Sequence, residues 1–292
     1  MSLACSQAQA LFGSSPNNQM KLSAAQLDRV RRATCAIGWL DCALQDFAKD
    51  PFAPHLNVVG TGFLVRADVV FSARHVLTKA VSLCEGSRGQ NRIPVVAFFN
   101  TERPAVEVRV YQWGLHGWMN PPHDDVGVIT IHEADSDVVA ARPPLDSPQT
   151  FDTDVGDPIG ILGYPFGTRG LVNQDAAGAS RIYRVGPVLQ QGFLSAIAPF
   201  ESAGRVDRLL LDIRTAAGMS GAAVISSETG LAIGVHTSGF ASEPSVLAFA
   251  VPLSAEFVAT IVAHLATQSA ADTGQQISST IDIPNVRRGG ER

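Results

Sequence analysis

One serine, one histidine and one aspartate stand out for the chemistry their surroundings allow. Ser220 lies between two glycines in the otherwise apolar stretch GMSGAAV, residues 218–224. A serine hydroxyl is a weak nucleophile unless a base takes its proton. Two flanking glycines permit a tight turn whose backbone N–H groups face an incoming oxygen. A plain surface turn has the same composition, so the segment by itself leaves both readings open.

A base and a group to orient it must come from elsewhere in the chain. Of seven histidines, His75 sits in VVFSARHVL, directly after an apolar strand and at a strand-to-helix junction. Such a place gives a ring a rigid backing and an open face, which suits a general base. The carboxylate comes from HDDVGVITI, residues 123–131. Asp125 opens the apolar run that follows; Asp124 is the competing acid, and both also read as ordinary turn residues. The order is His75, Asp125, Ser220, with separations of 50 and 95 residues.

These residues need a scaffold. From Arg32 onward, short runs rich in β-branched and aromatic residues alternate with Gly, Pro, Asn and Asp: ATCAIGWL, NVVGTGFLV, DVVFSA, IPVVAFF, VEVRVYQW and VGVITI. This predicts an all-β fold. A second set follows: DPIGILGY, RIYRVGPVL, GFLSAIA, DRLLLDI, GAAVIS, LAIGVHTS and VLAFAVP. About six strands on each side predict two antiparallel six-stranded β-barrels, which would close most exposed edges. The first barrel spans 32–131 and holds His75 and Asp125; the second spans 157–252 and holds Ser220. Residues 132–156, acidic and proline-rich, read as the linker. A site where two barrels meet is a cleft by construction.

The ends differ in texture. Residues 1–31 form an N-terminal extension, loose to about residue 20 and then helical in LSAAQLDRVRRA, where Ser23 and Gln26 make a capping box. Residues 253–268 form a C-terminal helix with Ser254 as N-cap and Phe257, Val258, Ile261, Val262 and Leu265 at helical spacing. Residues 269–292 read as a flexible polar tail.

Of the 292 residues, 46% are hydrophobic, and the net charge is −5. No basic stripe follows a phosphate backbone, so a nucleic-acid partner is disfavoured. No apolar run reaches the ~18 residues of a membrane span, and the first residues make a poor secretion signal. Cys5, Cys35, Cys42 and Cys84 show no metal-ligand spacing; an even count permits two disulfides, but the reading favoured is reduced thiols in the cytoplasm.

At this point the sequence resembles the trypsin-like (chymotrypsin-fold) serine peptidases, in flavour the bacterial Htr-type and glutamyl-endopeptidase-type enzymes. GTGFLV (60–65) resembles the family's strand before the histidine, FSARHVL its histidine motif, DDVGVI its aspartate motif and GMSGAAV its serine motif. DPIGILGYPFG, GVHTSG and FAVPL resemble the opening strand of the second barrel, the strand lining the specificity pocket and the segment leading to the last helix. The resemblance covers about residues 32–266. It implies an endopeptidase in which Ser220 attacks, His75 shuttles the proton, Asp125 holds His75, and the N–H groups of Gly218 and Ser220 bind the oxyanion. It implies a polypeptide substrate and no metal or organic cofactor. Met219 stands where digestive members carry an aspartate that pairs with a new N-terminus, so that activation route is not expected. Val76 stands where many secreted members carry a disulfide cysteine.

The same resemblance places Arg214, Thr215, His236, Thr237 and Ser238 at the substrate side-chain pocket. A threonine and an imidazole there can hydrogen-bond a carboxylate or amide, which suggests cleavage after Glu or Gln. Alternatively His236 packs under its strand, Arg214 is solvated, and Thr237 donates to Asp125. Two other functions compete: a catalytically silent binding module on the same fold, or one activated by a partner, with the N-terminal extension as a regulatory contact; and an acyl hydrolase of another fold. The last is disfavoured, since GMSGA lacks the second glycine of a nucleophile elbow and the residue order is wrong.

Overall fold

The computed structural model describes residues 22–49, 55–86, 92–100, 107–118, 125–131, 142–167, 172–174, 180–182, 186–199, 206–239 and 247–269. The expected loose start, the tail from 270, Cys5, Asp124 and the first part of the linker lie outside them.

Each half of the chain is a ring of antiparallel strands. In the first half, β1 (Thr34–Leu40), β2 (Leu56–Arg66), β3 (Val69–Ala73), β4 (Ile93–Asn100), β5 (Glu107–Trp118) and β6 (Val126–Ile131) pair in the order β1-β2-β3-β6-β5-β4 and close. All five residues of β3 are buried, because the strand lies between β2 and β6 with α-helical cover on its open side. In the second half, β7 (Pro158–Gly163), β10 (Val188–Ala198), β11 (Arg208–Asp212), β12 (Ala223–Ser226), β13 (Ala232–Gly239) and β14 (Leu247–Pro252) pair in the order β10-β11-β14-β13-β12-β7, and β10 also pairs with β7. A separate hairpin is made by β8 (Val172–Gln174) and β9 (Ser180–Ile182).

The second half departs from the expected segments in one place. The sequence reads RIYRVGPVL and GFLSAIA as two separate strands. Instead Gly186 and Pro187 make the break, and β10 runs from Val188 straight through Gly192, which pairs with Ile159. Arg181 and Ile182 belong to the outer hairpin.

Among the described residues, four helices are seated on these sheets: α1 (Ala24–Ala33), α2 (Leu44–Lys49), α3 (Arg74–Glu85) and α4 (Ala255–Ser269). The capping box on α1 is formed: Ser23 Oγ accepts from Gln26 N–H at 3.2 Å, and Gln26 Oε1 accepts from Ser23 N–H at 2.8 Å. Arg29 carries α1 across the molecule, donating to the Pro144 carbonyl at 2.8 Å and the Asp146 carboxylate at 2.6 Å. Ser254 caps α4 by accepting from Phe257 N–H at 3.2 Å. Phe257, Ile261 and Leu265 are buried, with Phe257 edge-on to Phe71 of β3. One continuous core therefore joins α1, the first ring, β12–β14 and α4, while a second fills the interior of the later ring.

The described part of the linker is a strap bonded to both halves. Leu145 N–H donates to Leu64 O, Asp146 O accepts from Ala232 N–H and Pro148 O accepts from Ala255 N–H, each at 2.8 Å. No described helix is long and apolar enough to cross a membrane. Cys35, Cys42 and Cys84 are free thiols. Burial raises the Cys35 thiol far above its usual value, so it is inert.

Candidate functional site

The turn that carries Ser220 is built by its glycines. Gly218 and Gly221 both have positive φ, +97° and +88°, a conformation an L side chain resists. Three N–H groups around the serine are bonded: Met219 to Ala216 O at 3.0 Å, Gly221 to His236 O at 2.7 Å and Ala222 to Met219 O at 3.1 Å. Among the described residues, the N–H groups of Gly218 and Ser220 donate to nothing. The turn thus withholds two donors, one on each side of Met219. Met219 itself is fully buried and anchors the loop in the second core.

His75 and Asp125 come together as expected. Asp125 precedes β6, which pairs with β3, and His75 is the second residue of α3, which leaves the end of β3. Asp125 Oδ2 lies 2.9 Å and Oδ1 3.1 Å from His75 Nδ1, and Oδ1 also accepts from His75 N–H at 3.0 Å. The Asp125 carbonyl accepts from Arg74 N–H at 3.1 Å. Side chain and backbone together fix the ring, with Nδ1–H toward the carboxylate and Nε2 left outward. Half of the His75 side chain is exposed. It faces a groove shared with Arg74, Thr78, Lys79, Ser82 and Asp125.

The backbone around Ser220 meets the His75 side of the molecule at Gly60. A Cβ at Gly60 would stand 2.3 Å from Val76 and 3.1 Å from the Ser220 carbonyl. Among the described residues, no hydrogen bond joins the Ser220 hydroxyl to His75. Such contacts commonly tighten only with substrate in place.

Sequence reasoning missed the residue that ties these parts together. Thr61, fully buried in β2, donates its N–H to Ser220 O at 2.9 Å and its hydroxyl to Gly218 O at 2.7 Å. The same hydroxyl accepts from Tyr164 N–H at 3.0 Å, and Ser72 Oγ donates to Thr61 O at 2.6 Å. A threonine inside a β-rich run reads only as a strand former, so no signal marked it. Thr61→Val keeps the shape but removes the hydroxyl's bonds to Gly218 O and Tyr164 N–H. We expect it to destabilise the protein by about 1–3 kcal/mol in urea unfolding, and to cut labelling of Ser220 by a fluorophosphonate more than an equally destabilising change in α4 does.

Of the pocket candidates, His236 is buried at 2% exposure, while Arg214 and Ser238 are exposed and Thr215 is half-buried. The Thr237 hydroxyl donates to Phe249 O at 3.3 Å, so in this structure it serves the neighbouring strand β14 and not Asp125. His236 Nδ1 is 3.2 Å from Met219 O; a carbonyl can only accept, so Nδ1 carries the hydrogen and Nε2 is a bare acceptor. That Nε2 is buried and, among the described residues, has no partner. Burial lowers the His236 pKa to about 4, with the nearby His75 adding to the shift and Met219 O and Asp125 opposing it. Above pH 6.5 the ring is neutral in both folded and unfolded chains and contributes no pH dependence. As pH falls from 6.5 toward 4, the unfolded chain binds a proton the native one refuses, so stability drops by up to about 3 kcal/mol. The urea midpoint should follow this course, and His236→Gln should flatten it.

The sequence profile of the trypsin-like peptidase domain matches residues 60–235, from β2 to β13 and more than half of the chain. The chain belongs to the trypsin-like peptidase family. No curated protein matches this trypsin-like chain. Among solved structures it is similar to Deg5, 16% identical over 86% of this chain and 94% of that one, TM-score 0.51. It is also similar to the HtrA-type protease AlgW with a tripeptide, 18% identical over 82% and 64%, TM-score 0.51. A serine endoprotease from Yersinia pestis is 17% identical over 88% and 66%, TM-score 0.49. This trypsin-like chain thus spans about two thirds of the length of the last two. At these identities the likeness is one of fold: a mostly β, trypsin-like architecture with few helices.

Proposed function

We propose that the protein is a serine endopeptidase using His75, Asp125 and Ser220. His75 Nε2 accepts the Ser220 proton as Oγ attacks a peptide carbonyl. The free N–H groups of Gly218 and Ser220 receive the resulting oxyanion. His75 then gives the proton to the leaving amine, and water, activated by the same ring, releases the acyl group. The observation that carries the reading is the pair of unbonded N–H groups beside Ser220, in a fold that also pairs His75 with Asp125. A fluorophosphonate reagent tests it: wild type should be labelled, and Ser220→Ala and His75→Ala should not. A folded wild type that stays unlabelled would favour a silent or partner-activated binding module instead.

The reading extends to substrate preference. The lone Nε2 of His236, an acceptor at neutral pH, suits the N–H of a glutamine side chain at the residue before the scissile bond. A glutamate would have to bring a proton or charge the ring. We therefore expect cleavage after Gln over Glu at pH 7, with the ratio shifting toward Glu as pH falls, measured on matched peptides. Equal cleavage after apolar residues would sink this extension and leave the triad untouched.

A further inference from the structure

At the far end of the first ring, three different metal-ligating groups converge outside the site described above. β1 ends at Leu40, β2 begins at Leu56, and these two residues face each other as the last pair of the β1–β2 ladder. Directly beyond that pair stand Asp41 and Cys42 on one side and His55 on the other. One ligand atom from each of Asp41, Cys42 and His55 lies within 4.8 Å of the other two. The two chain segments are held in place by backbone: Asp41 N–H donates to His55 O at 3.2 Å. Asp41 Oδ1 is 2.6 Å from His55 Nδ1.

We propose that Asp41, Cys42 and His55 bind a zinc ion at the base of the β1–β2 connection. Thiolate, imidazole and carboxylate are the three ligand types zinc takes, and three of them with a water in the fourth position make an open tetrahedral site. The site is also backed. Cys42 packs on the cluster of Leu40, Phe47 and Val95, so the buried Phe47 of α2 fixes the chain just after it. The Asp41 and His55 side chains are 37% and 43% exposed, which leaves an open side for water.

On binding, the Cys42 thiol loses its proton to solvent, the His55 hydrogen passes from Nδ1 to Nε2 so that Nδ1 offers a lone pair, and the Asp41–His55 contact opens to about 3.3 Å, the separation of two ligands on tetrahedral zinc. The ion then staples Asp41 and Cys42 to a residue 13 positions beyond Cys42. No spacing motif announces the set; the strand ladder creates it. The proposal is independent of the peptidase reading.

Cobalt provides the test, because a thiolate on Co²⁺ gives a charge-transfer band that imidazole and carboxylate do not. The reduced, full-length protein is titrated with Co²⁺ and then with Zn²⁺. The expected result is one equivalent with a thiolate band, displaced by zinc. Cys42→Ser should abolish the band, His55→Gln should weaken binding at least tenfold, and Cys84→Ser should change neither. Circular dichroism confirms that each variant is folded. No thiolate band in the wild type overturns the proposal, as does a band that survives Cys42→Ser, one lost with Cys84→Ser, or an affinity unmoved by His55→Gln.

Discussion

Asp125→Asn is expected to lower kcat by about four orders of magnitude, and Ser220→Ala or His75→Ala by about six. That scale is the one established for the trypsin-like archetype and its convergent relatives. On the proposed reading, the geometry gives the aspartate its effect without touching substrate. Its two oxygens lie 2.9 and 3.1 Å from His75 Nδ1, and one also accepts the His75 backbone N–H. An asparagine that keeps those contacts must present either an N–H or an oxygen to the ring. Presenting the N–H forces the proton to Nε2, where a base needs a lone pair. The loss should therefore fall on kcat with KM little changed. It should not add to His75→Ala, because both act through one ring. Steady-state kinetics on the single and double variants check both points; a double variant far slower than His75→Ala would refute the shared route.

Gly218→Ala is expected to lower kcat/KM by at least 10²–10³, the cost of one lost oxyanion donor. An added Cβ would sit 2.3 Å from Tyr164 O and 2.8 Å from Gly167 N, both backbone atoms that cannot rotate away. The turn must shift, and its N–H with it. Gly156→Ala is the control. Its φ is nearly the same, +98°, but nothing lies within 4 Å of the new carbon. It bears only the backbone cost, about 1–2 kcal/mol, and should retain full activity. If the two variants lose activity alike, the steric account of the serine turn is wrong.

Much of this architecture was legible in the residues. VVFSA and VGVITI read as buried strands because β-branched and aromatic runs between turn formers have few alternatives, and they frame His75 and Asp125. Ser254 and the apolar spacing after it marked α4. What stayed hidden depended on partners distant in sequence. RIYRVGPVL and GFLSAIA read as two strands, because only the pairing with β7 shows that Val188 to Ala198 is one. Thr61 gave no sign of its four bonds, since each partner lies 11 to 159 residues away. Asp41, Cys42 and His55 match no spacing rule, because a hairpin register brings them together. Thr237 was assigned two partners by analogy, and local strand geometry chose a third.

The bonds of Thr61 also bear on timing. A ribosome delivers His75 and Asp125 well before Ser220, which lies 95 residues beyond Asp125. The serine turn leans on Thr61, Ser72 and Ala73 of the earlier half, since Gly221 fits against all three with no room for a side chain. On the peptidase reading proposed above, a chain without its later half would hold the imidazole and the carboxylate but not the serine they serve. Cutting ability would then come only with the completed fold.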